Sequence, residues 1–476
     1  MFRPLALASL VAGLGACAAI LGDFEVVADT TDGGASDGGA DTGAPEDGGA
    51  DAGPQPEPLD VAVTLHATCA TLRYPTERRT YCWGAQLPKN PEYLGVNGNA
   101  APIGPGFYAP QAPNGSPLGV ERLFGTGTGN WFIAAGGESQ GLNEAFTWGS
   151  NASSQSGQGR DATEAPNVLP NRLKRGETTL RIAGARAGGG PRHGCIVEDG
   201  KLYCWGQNDF CQASGGALET CTKTPIDPPI LSPAEVLHTP GSALTYVAVA
   251  AGDAHTCALA QVTGTNEAGV YCFGKNEARQ SGRQGVTTPI ANPQEVEGVP
   301  RALPDRMEIA AGDNHTCAIV DRNKLHCWGA NDAKQSSPDA QQLDVLATEV
   351  PGIAPDGAEL SMLRLGGNAT CVVTTPPNAP SRIQCFGGGA LGRLGGVGVA
   401  EVEGLMDIKA LAISSLHGCA IARTAESATH GVYCWGDNVP RGVDPASEEG
   451  SFATPRRVLF PSTTQGPAAP APRSQP

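Results

Sequence analysis

The apolar positions of this chain fall in short runs broken by turn residues, the pattern of many short strands. In "CIVEDGKLYC" (195–204), Asp199-Gly200 separates two apolar, β-branched runs, the strongest short signal for a two-residue hairpin. That turn sets Glu198 opposite Lys201, Val197 opposite Leu202 and Cys195 opposite Cys204. In "AAGDNHTCAIVDRNKLHCWGAND" (310–332), placing Cys317 opposite Cys327 likewise sets Ile319 opposite Leu325. One register joins the cysteines and gathers apolar pairs on their face; a slip of one residue would turn those side chains away.

The pattern recurs. Copies begin at His66, His193, His255, His315, Ala369 and His417, and a seventh, without cysteines, occupies 133–151. A Trp-Gly or Phe-Gly marks each copy, at 83, 148, 205, 273, 328, 386 and 435, so spacings run from 49 to 68 residues. Self-similarity on this scale predicts one supersecondary unit per repeat. Composition agrees: 65 Gly and 39 Pro in 476 residues, with 5 % aromatics, suit strands joined by turns better than a helical bundle.

The fifteen cysteines decide between architecture and chemistry. Directly opposed cross-strand residues lie within disulfide range. Six hairpin pairs follow: Cys69–Cys82, Cys195–Cys204, Cys257–Cys272, Cys317–Cys327, Cys371–Cys385 and Cys419–Cys434. Cys211 and Cys221 flank the loop "CQASGGALETC" as a seventh pair, and Cys17 is left over. A zinc site needs four ligands converging on one ion, yet each His/Cys set here lies in a different repeat. A redox pair is usually C-x-x-C, which the chain lacks. The cysteines predict structural disulfides in an exported, oxidised protein, with no metal and no cofactor.

An "A-x-G-x-x-H-T-C-A-L" strand followed by "V-Y-C-W-G-x-N-x-x-x-Q" resembles the regulator of chromosome condensation (RCC1) repeat. The copies "WGSNASSQSG" (148–157), "FGKNEARQSG" (273–282) and "WGANDAKQSS" (328–337) hold the Asn and Gln at one spacing. The Leu-Gly that normally follows is retained only in "LGRLGG" (391–396), and Gly389 stands where the sixth copy would have its Asn. The resemblance implies an all-β, seven-bladed β-propeller over 60–460. Because the chain enters mid-repeat at "VAVTLHATC" and ends on "ATPRRVLF" (453–460), the last strand is expected to complete the blade begun at 61.

The flanks read differently. Residues 1–17, "MFRPLALASLVAGLGAC", have a secretion signal's single basic residue and short apolar stretch, and "LGAC" resembles a bacterial lipobox with Cys17 as the lipidated residue. Residues 18–59 are rich in Asp, Gly and Ala and predict a disordered tether; 461–476 predict a disordered tail. The net charge of −16 is concentrated there, with eleven Asp or Glu in 18–60 and no Lys or Arg. No clustered basic residues serve a phosphate backbone, so no nucleic-acid partner is expected.

The recurring His66, His193, His255, His315 and His417 are expected to fix turns through backbone hydrogen bonds. The Trp residues should pack between blades, and the Asn and Gln should satisfy turn amides. Residues that specify a partner should differ between blades, which directs attention to 87–128, 209–221 and 330–345. Within them Tyr93, Phe107 and Tyr108 are aromatics the repeat does not explain, hence possible anchors. No G-x-S-x-G, H-E-x-x-H or phosphate-binding Gly loop occurs. The expectation is a monomeric, non-enzymatic binding module, lipid-anchored outside the cytoplasm at the bacterial outer membrane or cell surface, for an unknown protein or glycan. The alternative is a cell-surface enzyme acting on polymers at the channel mouth. Guanine-nucleotide exchange, the founding relative's activity, fits least with export and disulfides.

Overall fold

The hairpins pair in the register their turns dictate. In the computed structural model, Cys195 faces Cys204, Val197 faces Leu202 and Glu198 faces Lys201. Asp199 and Gly200 take φ of 50° and 76°, the mirror-image turn that matches strand twist. Cys317 faces Cys327 and Ile319 faces Leu325. The structure describes residues 56–461, apart from 85–93, 97–101, 103–105, 113–114, 116, 138–142, 161–166, 183–185, 214–227, 239–243, 356, 389–397, 439–440 and 448. All of these belong to one unit, Ala52–Pro476.

Seven sheets of three or four antiparallel strands form the blades, each sheet in chain order: 57–84, 119–172, 187–235, 244–295, 308–349, 359–401 and 406–457. Blades are numbered 1 to 7 in this order. Neighbouring blades pack face to face, and the inner strand of blade 1, Glu57–Val63, packs on blade 7, so the ring is closed. All seven inner strands line one central channel. Six hairpin disulfides staple the second and third strands of every blade except blade 2. There Ile133 and Thr147 stand opposite each other where the cysteines would be.

The Gly after each Trp or Phe has a backbone reason. Gly206 takes φ of 100°, and a Cβ there would lie 2.5 Å from Arg192 O and 2.7 Å from His193 Cα. The third strand passes so close to the start of the second that only glycine fits. The outer strand then rejoins through a bulge, as between Cys204 and Gly206.

Ring closure differs from the expectation. The strand Ser451–Arg457 does not complete blade 1; it pairs with the preceding strand of its own blade, with Cys434 facing Arg456 and Tyr433 facing Arg457. The outer edge of blade 1 is met instead by Tyr108, which exchanges both backbone hydrogen bonds with Cys82 at 2.7 and 2.9 Å. Each blade is thus built from consecutive chain, because the outer edge follows its own hairpin in sequence. Closure falls to side chains: Phe460, just past blade 7, packs on Trp83, Phe107 and Tyr81 with centroids 5.8, 5.3 and 5.9 Å apart.

Candidate functional site

The recurring polar side chains face inward, into the joints between blades. Nε2 of His193, His255, His315 and His417 lies 2.7–2.9 Å from Oγ1 of Thr256, Thr316, Thr370 and Thr68, each on the next blade around the ring. Each Thr hydroxyl donates to a turn carbonyl, that of Gln212, Gln280, Gln335 or Gly442. The hydroxyl has one proton, so the imidazole must be the donor and carries its proton on Nε2. Trp328 and Trp83 donate their indole N–H to the same Gln280 and Gly442 carbonyls. Burial drives the pKa of all four histidines down to about 3, so they are neutral joints rather than acid–base groups.

This joint replaces the backbone contact expected for the histidines, and it changes the reading of His66. The residue that pairs as His193 does with Gly206 is Ala67, opposite Gly84. His66 lies one position earlier and is half-buried. The three joints without histidine are altered on both sides. Ala67 is followed around the ring by Phe132, Trp131 by Gly194, and Ala369 by Gly418, in the His and Thr places respectively. A Cβ on Gly194 would meet Trp131 at 2.5 Å, so loss of the hydroxyl makes room for the indole.

The turn residues act as expected. The side-chain oxygens of Asn151, Asn276 and Asn331 accept the amides of Ser156, Ser281 and Ser336 at 3.0–3.1 Å. Those of Gln155, Gln280 and Gln335 accept Ser153, Ala278 and Ala333 at 2.6–2.9 Å. Cys211 is disulfide-bonded; its expected partner Cys221, like Cys17 and Tyr93, lies outside the described residues. Phe107 and Tyr108 are not free anchors. Phe107 is 2 % exposed within the closure cluster, and Tyr108 packs against the core between blades 1 and 2, because this segment serves as blade 1's outer edge.

What distinguishes one blade from another lies along the channel, a cavity of about 400 Å³. The inner-strand residues paired with each hairpin's first cysteine are Ala62, Gly188, Ala250, Ala310 and Ala412, but blade 6 has Arg364. Blade 2, which lacks the cysteine, has Phe124 there; the other side chains at this level are small, and one guanidinium lines the cavity. At the end of the channel nearest the strands' N-termini stand Asp60, Arg122 and Glu308. Asp60 Oδ2 accepts the Leu123 amide (2.8 Å), and Glu308 accepts those of Met362 and Leu363 (3.2 and 3.0 Å). Each carboxylate clasps the bulged strand of the next blade. Burial raises the Asp60 pKa, opposed by the Leu123 amide and the Arg122 charge.

At the other end a loop from blade 2 crosses the channel. In six blades the paired residues flanking this turn are five apart, as Ala251 and Thr256 are; in blade 2 Gly125 pairs with Phe132. The two extra residues let "TGTG" (126–129) leave its own blade. Thr128 Oγ1 donates to Asp313 Oδ1 on blade 5 at 2.5 Å. A methyl group on Gly127 would lie 3.8 Å from Leu365 O on blade 6 and 3.9 Å from Ile413 O on blade 7. Beside this latch Asp253 pairs with Arg192 at 2.9 Å. Burial raises the pKa of both Asp253 and Asp313. Among the described residues no group of three or more His, Cys, Asp or Glu could hold a metal ion.

Seven blades around a channel, four of their joints closed by buried His–Thr contacts, define a β-propeller whose repeated residues are structural and whose individual ones line the axis. Residues 246–280 and 308–335 match the family model of the regulator of chromosome condensation (RCC1) repeat, and 267–319 match a second model of it. These stretches are blades 4 and 5. Mouse (Mus musculus) E3 ubiquitin-protein ligase HERC2 is 26 % identical over 211 residues, 44 % of this chain and 4 % of HERC2. Human (Homo sapiens) probable E3 ubiquitin-protein ligase HERC3 is 26 % identical over 211 residues, 17 % of its length. The chain therefore matches a small part of these relatives. Human WBSCR16 superposes with a TM-score of 0.57 at 17 % identity, over 80 % of this chain and 94 % of that one. Prp20p of Saccharomyces cerevisiae gives 0.56 at 16 %, over 87 % and 88 %. Blades 4 and 5 thus match the RCC1 repeat, and the described chain shares the fold of these propellers.

Proposed function

We propose that this propeller is a lipid-anchored, extracytoplasmic binding module of a bacterial envelope, held off the membrane by the 18–59 tether and contacting a protein or another macromolecule. One observation carries the reading. The repeated His, Thr, Trp, Asn and Gln are committed to joints and turns, so recognition falls to side chains that differ between blades, on the rims and in loops such as 330–345. Prp20p is described as binding Gsp1p and histones, a precedent for protein contacts by this fold. The "LGAC" at 14–17 and the disulfides support export over a role inside the cell. The carboxylates Asp60 and Glu308 at one channel end favour a second reading, an enzyme acting on surface polymers, though both are held by backbone amides.

The test uses the full-length chain in a bacterial envelope. Cys17→Ser should move it from the membrane to the soluble fraction, and unchanged fractionation would refute the anchor. Cross-linking mass spectrometry against envelope and secreted fractions should then yield one stoichiometric protein linked through a rim or loop. A blank from folded bait, with polymer hydrolysis abolished by Glu308→Gln, would replace the binding module with the enzyme.

A further inference from the structure

We infer that the channel is a blind pocket that binds a ligand carboxylate, with Arg364 as its anchor. The "TGTG" loop lies across one end, latched by Thr128 on Asp313. At the other end Arg122, with its side chain 47 % exposed, meets solvent, and further in Arg364, level with Ala62 of blade 1, is exposed to the channel. A ligand therefore enters past Asp60 and Glu308 and stops at the loop.

The residue at the waist sets the ligand's charge. Arg364 stands where five blades carry Ala or Gly and blade 2 carries Phe124, so the architecture does not require a charge there. Its Nε donates to Leu411 O (2.9 Å) and its Nη1 to Leu363 O (2.8 Å), both neutral acceptors that orient the guanidinium; the Asp60 carboxylate acts on it only through space. Among the described residues no carboxylate lies within ion-pair distance of it, whereas Arg122 has Asp60 at 3.6 Å. An oriented guanidinium with donors to spare is a bidentate carboxylate receptor.

The rim sets the rest. Asp60 and Glu308 repel a doubly charged phosphate, yet their remaining lone pairs can accept from a donor on a monoanion. The favoured ligand thus carries one carboxylate and a nearby N–H or O–H, as the end of a peptide or a free amino acid does. A cavity of about 400 Å³ lies at the small end of ligand sites, enough for one or two residues. The pocket stands whether or not the chain is membrane-tethered.

Calorimetric titration of the oxidised full-length protein with hexanoate, glutamate, inorganic phosphate and trialanine tests this. Hexanamide, glutamine amide and trialanine amide serve as the matched neutral-end controls. Each acid that binds should do so at least tenfold tighter than its amide. Trialanine above glutamate would identify a protein C-terminus as the source, and the reverse a free metabolite. Arg364→Ala, which installs the residue of blades 1, 4, 5 and 7, should abolish binding while leaving the melting temperature within a few degrees, and Arg364→Lys should retain part of it. Equal binding of acid and amide, binding that survives Arg364→Ala in a folded protein, preference for phosphate, or no binding at all would each overturn the proposal.

Discussion

A His–Thr joint shows how one hydrogen bond can be worth more broken than made. With Thr370→Ala, the buried Nε2–H of His315 loses its acceptor, at a cost of about 1–3 kcal/mol. His315→Ala adds a cavity of its own. In the double replacement neither group is orphaned, so the losses should fall short of additive by about 1 kcal/mol or more in a urea-denaturation cycle. Strict additivity would mean that the bond carries nothing. The joints at Ala369/Gly418 and Trp131/Gly194 already show the paired loss. The same burial makes a pH prediction. Folding holds these four histidines near 3, below their ordinary 6.5, so the unfolded chain takes up protons that the folded one refuses. Their stabilisation is whole above pH 6.5 and is lost as pH falls toward 3. Asp60, Asp253 and Asp313, raised by burial, act in the opposite sense at lower pH, where carboxylates titrate. The urea midpoint should therefore already drop between pH 6.5 and 5, with disulfides intact. A flat midpoint across that window would show that the histidines titrate alike in both states.

Hairpins were legible in the chain because their determinants are local. Asp199-Gly200 sets the turn, the turn sets the register, and the register sets the disulfide. Blade 2 shows that the geometry survives without the staple, with Ile133 and Thr147 in its place. Replacing both Cys317 and Cys327 by Ala should thus leave a folded protein that is less stable by roughly 2–4 kcal/mol, read as a lowered thermal midpoint. Failure of that variant to fold would show the staple to be a condition of the hairpin rather than a brace. What was not legible depended on other blades. Counting back from Cys69 would have placed Ala67, not His66, at the joint, but nothing local says that a joint exists. The two extra residues before Phe132 are countable; that they cross to Asp313 follows only from the ring. Phe107 and Tyr108 read as surplus aromatics because their partners, Phe460 and Cys82, lie outside their own stretch of sequence.

A ring of repeats has one joint that no covalent neighbour enforces, and here it lies between blades 7 and 1. No strand is exchanged across it, since Ser451–Arg457 stays with its own blade. The joint carries the same Thr68–His417 contact (2.8 Å) and Trp83 indole on Gly442 O (2.9 Å) as other joints, and it adds the Tyr74 hydroxyl on Pro461 O (3.0 Å). Phe460 sits among Trp83, Phe107 and Tyr81, where an aromatic cluster supplies the area that a shared strand would otherwise provide. Phe460→Ala should therefore cost about 3–5 kcal/mol, the range for a buried aromatic that leaves a cavity. Ending the chain at 450 should cost more, because it strips blade 7 of its outer strand as well. The order separates two kinds of closure. If both changes lower the thermal midpoint and truncation lowers it further, the aromatic cluster fastens the ring. If Phe460→Ala is silent while truncation unfolds the protein, blade completion matters and the joint holds through its buried hydrogen bonds alone.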